Sequence, residues 1–113
     1  MKLRKTDPWK PASDYSRELN GLTINLLVNN INIANNFITK VIEANIIYED
    51  FDFASIKGFG SMWWFHADHT YDKHPLTNFI NKKQKRGNCI ELRLLGSNPD
   101  KAETRALKPG FNV

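Results

Sequence analysis

Between Gly21 and Asp68 the chain runs GLTINLLVNNINIANNFITKVIEANIIYEDFDFASIKGFGSMWWFHAD. The start of this stretch predicts a β-strand, because apolar side chains alternate on one face: Leu22, Ile24, Leu26 and Val28. An amphipathic helix follows, because the next apolar residues recur at helical spacing: Ile31, Ala34, Phe37, Ile38, Val41 and Ile42. Asn29 or Asn30 is a natural N-cap for this helix, and the intervening polar residues, including Asn35, are expected to face water.

Three more strands are predicted from short apolar runs at residues 46–48, 53–56 and 62–66. The breaks between them fall at residues 49–52 and 58–60, and the second break contains glycines that permit a tight turn. The predicted fold class is therefore α+β, with a βαβββ module that forms a curved half-barrel. Two such modules side by side would make a cleft for a metal or a small ligand.

The rest of the chain predicts only the strand and helix of an incomplete second module. Residues 88–95 alternate in the manner of a fifth strand, with Cys89 in an apolar run. Asn98-Pro99 then supplies a cap and a proline at the first helical position, and Lys108-Pro109-Gly110 ends the helix. Residues 111–113 would begin a sixth strand.

The first 20 residues are interpreted as an extended arm, which the large aromatic side chains of Trp9 and Tyr15 pin to the domain. We therefore expect one domain that consists of three parts: a first module at residues 21–70, a loop at 71–87 and a partial second module at 88–113.

Composition suits a single soluble globular domain. The chain has 113 residues, of which 41% are hydrophobic and 25% charged. No apolar run approaches the roughly 20 residues that a membrane span needs, and the first residues lack the apolar core of a signal peptide. A single cysteine, Cys89, agrees with a reducing cytoplasm and is interpreted as an inert core thiol rather than a reactive one. We expect a cytoplasmic protein with no membrane partner.

The formal net charge of +4 raises the question of nucleic-acid binding. The basic residues cluster near the start of the chain and in one later run: Lys82, Lys83, Lys85 and Arg86. No aromatic residue is interleaved with either cluster as a stacking platform for bases. The pattern favours solvated segments that keep the protein soluble over a nucleic-acid partner.

A family resemblance is carried by four segments in chain order: residues 25–30 with Phe37 and Ile42, residues 48–54, residues 66–71 with His74-Pro75, and residues 90–102. Together they resemble the vicinal oxygen chelate superfamily, which includes glyoxalases, bleomycin-resistance proteins and ring-cleaving dioxygenases. The resemblance covers roughly residues 21–113, with the second module truncated. Two positions depart from it: Glu43 stands where the family has a helix-ending glycine, and three further strands, the last of which carries a glutamate, have no counterpart here.

The resemblance also implies positions for metal ligands. The first-strand position matches Thr23, which is a poor ligand for a divalent metal. The fourth-strand position falls near Trp64 or His66, and the fifth-strand position matches Glu91. His66 and Glu91 are thus weak candidates for binding Zn, Ni, Fe or Mn, but two ligands do not make a catalytic site. Trp64, His66 and Glu91 are the candidate ligand-binding residues, and no catalytic residue is assigned.

One dense group of imidazoles and carboxylates lies around the end of the fourth strand: His66, Asp68, His69, Asp72 and His74. Such a group could bind a metal only if the strand ended between His66 and His69, because alternate residues of a strand face opposite ways. We favour a polar strand end in which His66 caps backbone groups and the two aspartates form local turns.

Two functional classes remain open. One is a small-molecule binding protein whose cleft between modules holds an aromatic or cationic ligand. The other is a divalent-metal-dependent lyase, isomerase or dioxygenase of the same superfamily, in which a carboxylate moves a proton. Thr23 favours the first class, and His66 with Glu91 keeps the second open. Because the second module is incomplete, we expect a homodimer in which each copy covers the exposed half of the other.

Overall fold

The computed structural model describes residues 1–80, 85–87 and 89–113. These residues form an α+β fold with one four-stranded mixed sheet and three α-helices. The helices are α1 (Ala12–Glu18), α2 (Ile31–Phe37) and α3 (Pro99–Leu107). The strands are β1 (Ile24–Val28), β2 (Asn45–Glu49), β3 (Phe53–Gly58) and β4 (Ser61–Ala67). Two short 3-10 helices, Asp68–Tyr71 and Pro75–Phe79, follow β4. Within these described residues, no helix is long and apolar enough to cross a membrane.

The sheet has the strand order β1-β4-β3-β2. Strands β2, β3 and β4 are consecutive and antiparallel, as expected for strands joined by short turns. Strand β1 lies parallel to β4, and Leu26 pairs with Phe65. The order strand, helix, strand, strand, strand along residues 24–67 therefore agrees with the sequence expectation for these elements.

Helix α2 begins as predicted, with the side chain of Asn30 accepting a hydrogen bond of 3.0 Å from the amide of Ile33. After Phe37 the helix continues as a π-helical turn over Ile38–Ile42. It ends at Glu43, whose φ of 60° and ψ of 35° are left-handed. A residue with a Cβ thus takes the positive φ that the resemblance assigns to a glycine, because the chain must reverse there to enter β2.

The hydrophobic core lies between α2 and the face of the sheet that carries Ala54, Ile56 and Phe65. Ile56 is completely buried, and burying a side chain of this size contributes roughly 1.5–3 kcal/mol. Asn35 was expected to face water but is only 4% exposed, and its amide nitrogen donates to Glu49 at 2.5 Å. Asn35 is buried because the end of β2 brings the Glu49 carboxylate against the polar side of the helix.

A bulge in β2 decides which side chains reach the opposite face of the sheet. Ile46 pairs with Ile56 and lies on the core side, whereas Tyr48 pairs with Ser55 because the register shifts by one residue between them. Tyr48 therefore lies on the face away from α2.

The N-terminal segment, residues 1–18, packs on that second face. Tyr15 is buried, and its hydroxyl lies 2.6 Å from Oγ of Ser55. Pinning of the segment by Trp9 and Tyr15 is thus confirmed. The extended conformation expected for residues 1–20 is only partly correct, because α1 forms where Tyr15 buries its ring against the sheet.

The predicted second module differs from the structure. Residues 89–95 contain no β-strand, and residues 111–113 are not a strand either. A strand forms only where a neighbouring backbone pairs with it, and residues 91–95 instead line a cavity together with apolar side chains of α2 and the sheet. Cys89 is exposed and has a φ of 68°, so its interpretation as a core thiol is wrong. The second helix forms as predicted, with Asn98 capping the amide of Lys101 at 3.1 Å.

Part of the predicted basic run, Lys82 and Lys83, lies outside the described residues, as does Asn88 at the start of the predicted fifth strand. Arg86 donates from both terminal guanidinium nitrogens to the buried carboxylate of Asp68, at 2.6 Å from Nη1 to Oδ1. The role of Arg86 in this structure is therefore to neutralise Asp68.

Candidate functional site

A cleft of about 590 Å³ lies between the N-terminal segment and the face of the sheet opposite α2. Its floor comes from the strands, through Tyr48, Phe53, Trp64 and His66, while ten of its seventeen lining residues belong to the N-terminal segment. Residues 64 and 66 reach the cleft because alternate positions of a strand share a face. For the same reason Trp63 and Phe65 lie on the core side.

Aromatic rings form a continuous wall along this cleft. The indole of Trp9 stacks on Tyr48 with ring centroids 5.3 Å apart and an interplanar angle of 8°. Phe53 then contacts Trp64 edge to face at 5.7 Å and His66 at 4.8 Å. Because such rings expose both flat faces and edges, the wall can hold a planar ligand by stacking or by edge contacts.

His66 is held at one end of the wall by a neighbouring strand. Its Nδ1 lies 2.6 Å from Oδ1 of Asn25, and the amide nitrogen of Asn25 donates to the hydroxyl of Tyr71 at 3.1 Å. Burial lowers the pKa of His66 below its usual 6.5, although the carboxylates of Asp50 and Asp52 oppose that effect. The imidazole is therefore neutral at pH 7.

Asp50 organises the turn beneath the cleft. Its Oδ1 accepts from the amides of Asp52 at 2.7 Å and Phe53 at 2.9 Å, and its Oδ2 accepts from the hydroxyl of Tyr48 at 2.9 Å. Burial and the hydrogen bond to Asp50 raise the pKa of Tyr48 above its usual 10.0. Tyr48 consequently remains a neutral phenol at physiological pH.

Asp52 fastens the N-terminal segment to the sheet. Its buried carboxylate accepts from the amide of Leu3 at 2.7 Å and from the amide of Arg4 at 3.3 Å, and lies 2.7 Å from Nε2 of His69. Burial alone would raise the pKa of Asp52, but the Leu3 amide, the His69 side chain and the Arg4 amide together hold it below 3.8. A charged Asp52 thus stabilises the packing of the N-terminal segment on the sheet.

Trp64 carries an unused donor. Its Nε1 is buried and has no hydrogen-bond partner among the described residues. An unpaired buried donor is unfavourable by about 1–3 kcal/mol, so burial of this indole costs part of the stability that its packing contributes.

The structure separates the residues that the sequence proposed as ligands. Trp64 and His66 line the aromatic cleft, whereas Glu91 lies beside a second cavity of about 680 Å³ on the core side, with Trp63 and Phe65. Glu91 is exposed and forms an ion pair with Arg93 at 2.7 Å. The hydroxyl of Thr23 donates to the carbonyl of Met62 at 2.9 Å. Within one chain, the structure does not bring His66 and Glu91 together.

The histidines and aspartates around the end of β4 each have a different partner. His66 contacts Asn25, His69 contacts Asp52, and His74 caps the amide of Leu76. Asp68 pairs with Arg86, and Asp72 lies 2.6 Å from the amino group of Met1. Our expectation that His66 caps backbone groups is therefore wrong, whereas Asp68 and Asp72 do lie in local turns, with side chains that pair with Arg86 and the Met1 amino group. In the part of the chain that the structure describes, no group of three or more His, Cys, Asp or Glu could hold a metal ion.

Sequence reasoning missed several residues that line the cleft or hold its side chains. Asn25 is one position from the face-alternating apolar residues of β1, and its polar side chain within a strand was a readable signal. Tyr48 was not identifiable, because a bulge that cannot be read from the alternation places it on this face. Trp9 was recognised as an anchor, but its position in a cleft wall depends on tertiary packing.

Comparisons with known proteins leave the family open. No family model matches the sequence, and no similar protein is found among curated proteins.

Proposed function

We propose that this protein binds a small planar aromatic molecule in the cleft between the N-terminal segment and the sheet. The observation that carries the proposal is the continuous aromatic wall, in which the Trp9–Tyr48 stack and the Phe53–Trp64 contact line one cavity. The cleft volume of about 590 Å³ lies within the roughly 300–1,000 Å³ range of small-molecule sites.

Polar groups at the cleft support selectivity as well as stacking. His66 lines the cavity with an imidazole, and the charged side chains of Arg4, Lys10 and Asp50 also line it. A mainly apolar cleft with a few polar groups is the usual composition of a ligand site.

We also propose that residues 21–70 are a βαβββ module of the vicinal oxygen chelate type. The element order and the mixed sheet support this proposal, as does the location of the cleft on the face opposite the helix. The proposal predicts that two copies associate. Strand β1 is an edge of the sheet, and two apolar residues near it, Leu22 and Ile24, are 96% and 43% exposed.

Binding is tested with indole, quinoline and acridine as probes, by isothermal titration and by quenching of tryptophan fluorescence. We expect saturable binding to the wild-type protein. Trp9→Ala should weaken it about two- to tenfold, since an aromatic pair contributes about 0.5–1.5 kcal/mol, and Trp9→Phe should weaken it less. Phe79→Ala removes a ring that is 81% exposed and outside the cleft, and should leave binding unchanged. Failure of every probe to bind would contradict the proposal.

Assembly is tested separately by light scattering coupled to size exclusion at micromolar concentration. A species of twice the mass of one chain supports the pairing of two copies. A stable monomer that unfolds cooperatively would contradict that pairing and would leave the ligand-binding proposal intact.

A further inference from the structure

The hydrogen bonds of Asn25 determine which nitrogen of His66 carries the proton. The amide nitrogen of Asn25 is the donor to the Tyr71 hydroxyl, so its oxygen Oδ1 faces Nδ1 of His66 at 2.6 Å. A carbonyl oxygen only accepts, and Nδ1 must therefore donate. In a neutral imidazole with a proton on Nδ1, the other nitrogen, Nε2, has a free lone pair.

The surroundings of His66 keep the ring neutral and fixed. Phe53 and Tyr71 pack against it with ring centroids at 4.8 Å and 5.9 Å. Burial lowers its pKa, and the charged groups that oppose this are the carboxylates of Asp50 and Asp52. Between these contacts the ring has little freedom to turn over.

Among the residues that the structure describes, no group donates a hydrogen bond to Nε2 of His66. Its hydrogen bond to Asn25 uses Nδ1 only, and the side chain lines the aromatic cleft. An acceptor at the end of a stacking wall can select among planar molecules by what they carry at the edge.

We propose that Nε2 of His66 accepts a hydrogen bond from an N–H or O–H group on the edge of the bound ring, and that Asn25 is the positioning residue that keeps this nitrogen unprotonated. This inference rests on the proposed function and narrows its ligand class to planar aromatic molecules with an edge donor, such as phenols, indoles and N–H heteroaromatics. A ring of the same shape whose donor is methylated is disfavoured.

Matched probes separate stacking from this hydrogen bond. Indole is compared with 1-methylindole, and phenol with anisole, by isothermal titration at pH 7.5. We expect the donor-bearing member of each pair to bind about three- to tenfold more tightly, the range of one ordinary hydrogen bond. His66→Phe keeps a ring in the wall and should abolish this preference while leaving the affinity for the methylated probes nearly unchanged.

Two further measurements keep the His66 ring and so do not depend on the folding of His66→Phe. Nitrogen-15 NMR of the imidazole should show a protonated Nδ1 and an unprotonated Nε2, and Asn25→Leu should give a mixture of tautomers. Lowering the pH through the pKa of His66, which lies below 6.5, should remove the preference for donor-bearing probes, because Nε2 then carries a proton.

The results of these experiments test the role of His66 separately from aromatic binding. Equal affinity within both probe pairs, or a protonated Nε2 in the neutral ring, overturns the role of His66 but leaves aromatic binding in place. Absence of binding by all four probes overturns the proposed function and this inference together. A donor preference that His66→Phe and acidification both remove supports the inference.

Discussion

The backbone amide of Leu3 donates to the carboxylate of Asp52 at 2.7 Å, although the two residues are 49 positions apart in sequence. Through this bond a buried charge in the turn before β3 fixes the N-terminal segment over the cleft. The same carboxylate contacts His69, so one side chain connects the segment, the sheet and the 3-10 helix that follows β4.

Acid should loosen this connection. The folded-state pKa of Asp52 is lowered, so its contribution to stability is fully present above the unfolded value near 3.8 and is lost as pH falls through the lower folded value. We expect the urea midpoint of the wild-type protein to fall below about pH 4. Asp52→Asn should be less stable at pH 7 by about 1–3 kcal/mol and should depend less on pH in that range.

Asp72 also has a lowered pKa, because its side chain bonds the N-terminal amino group, and it titrates in the same direction. The informative quantity is therefore the difference between wild type and Asp52→Asn. Parallel curves for the two proteins would contradict the role assigned to Asp52.

The buried hydroxyls of Tyr15 and Ser55 should show strong coupling. They lie 2.6 Å apart on the interface between α1 and the sheet. Tyr15→Phe or Ser55→Ala leaves the other hydroxyl without this partner, so each should lower the free energy of unfolding by about 1–2 kcal/mol. The double variant should lose clearly less than the sum. Additive effects in a double-mutant cycle would mean that the bond contributes little.

Glycine at position 43 should stabilise the protein. Glu43 has a φ of 60°, and relief of this strain is worth up to about 1 kcal/mol. The substitution also removes an ion pair with Arg105 at 3.4 Å, but the Glu43 side chain is 62% exposed and such pairs contribute little. Glu43→Gln is the control for that pair and should change stability by less than about 0.5 kcal/mol. A lower urea midpoint for Glu43→Gly than for Glu43→Gln would show an ordinary turn.

The purified protein should contain no stoichiometric zinc, nickel, iron or manganese. The hydroxyl of Thr23 is engaged with the Met62 carbonyl, and Glu91 lies away from His66. Elemental analysis by mass spectrometry is the measurement. One metal per chain or per dimer that disappears in His66→Ala would contradict the prediction and would favour the metal-dependent class.

Local periodicity predicted the first four strands and the helix between them, because each of these elements buries one face on a shared core. The prediction of a fifth strand was wrong because that segment has no backbone partner in the part of the chain that the structure describes. Its alternation is compatible with a strand, but a strand forms only where a neighbouring backbone pairs with it, and residues 89–95 have no such pairing here.

The site was harder to predict than the fold. The resemblance pointed to Trp64 or His66 on the fourth strand, and both line the cleft, whereas it assigned Glu91 through a strand that does not form. Asn25 and Tyr48 contact the cleft or its residues through pairing between strands and through a bulge, and neither is expressed in the spacing of a single segment.

Most of the residues that line the cleft belong to the N-terminal segment, which lies outside the core between α2 and the sheet. Substitutions at the exposed lining positions of this segment should therefore change what the protein binds while the sheet remains folded. The sheet then keeps His66 as a polar group at the floor of the cleft, while the residues of the N-terminal segment that face it vary. Ligand preference in this architecture can diverge fastest at exposed lining positions of the segment such as Lys2 and Asp7, whereas the buried Tyr15 is constrained by stability as well.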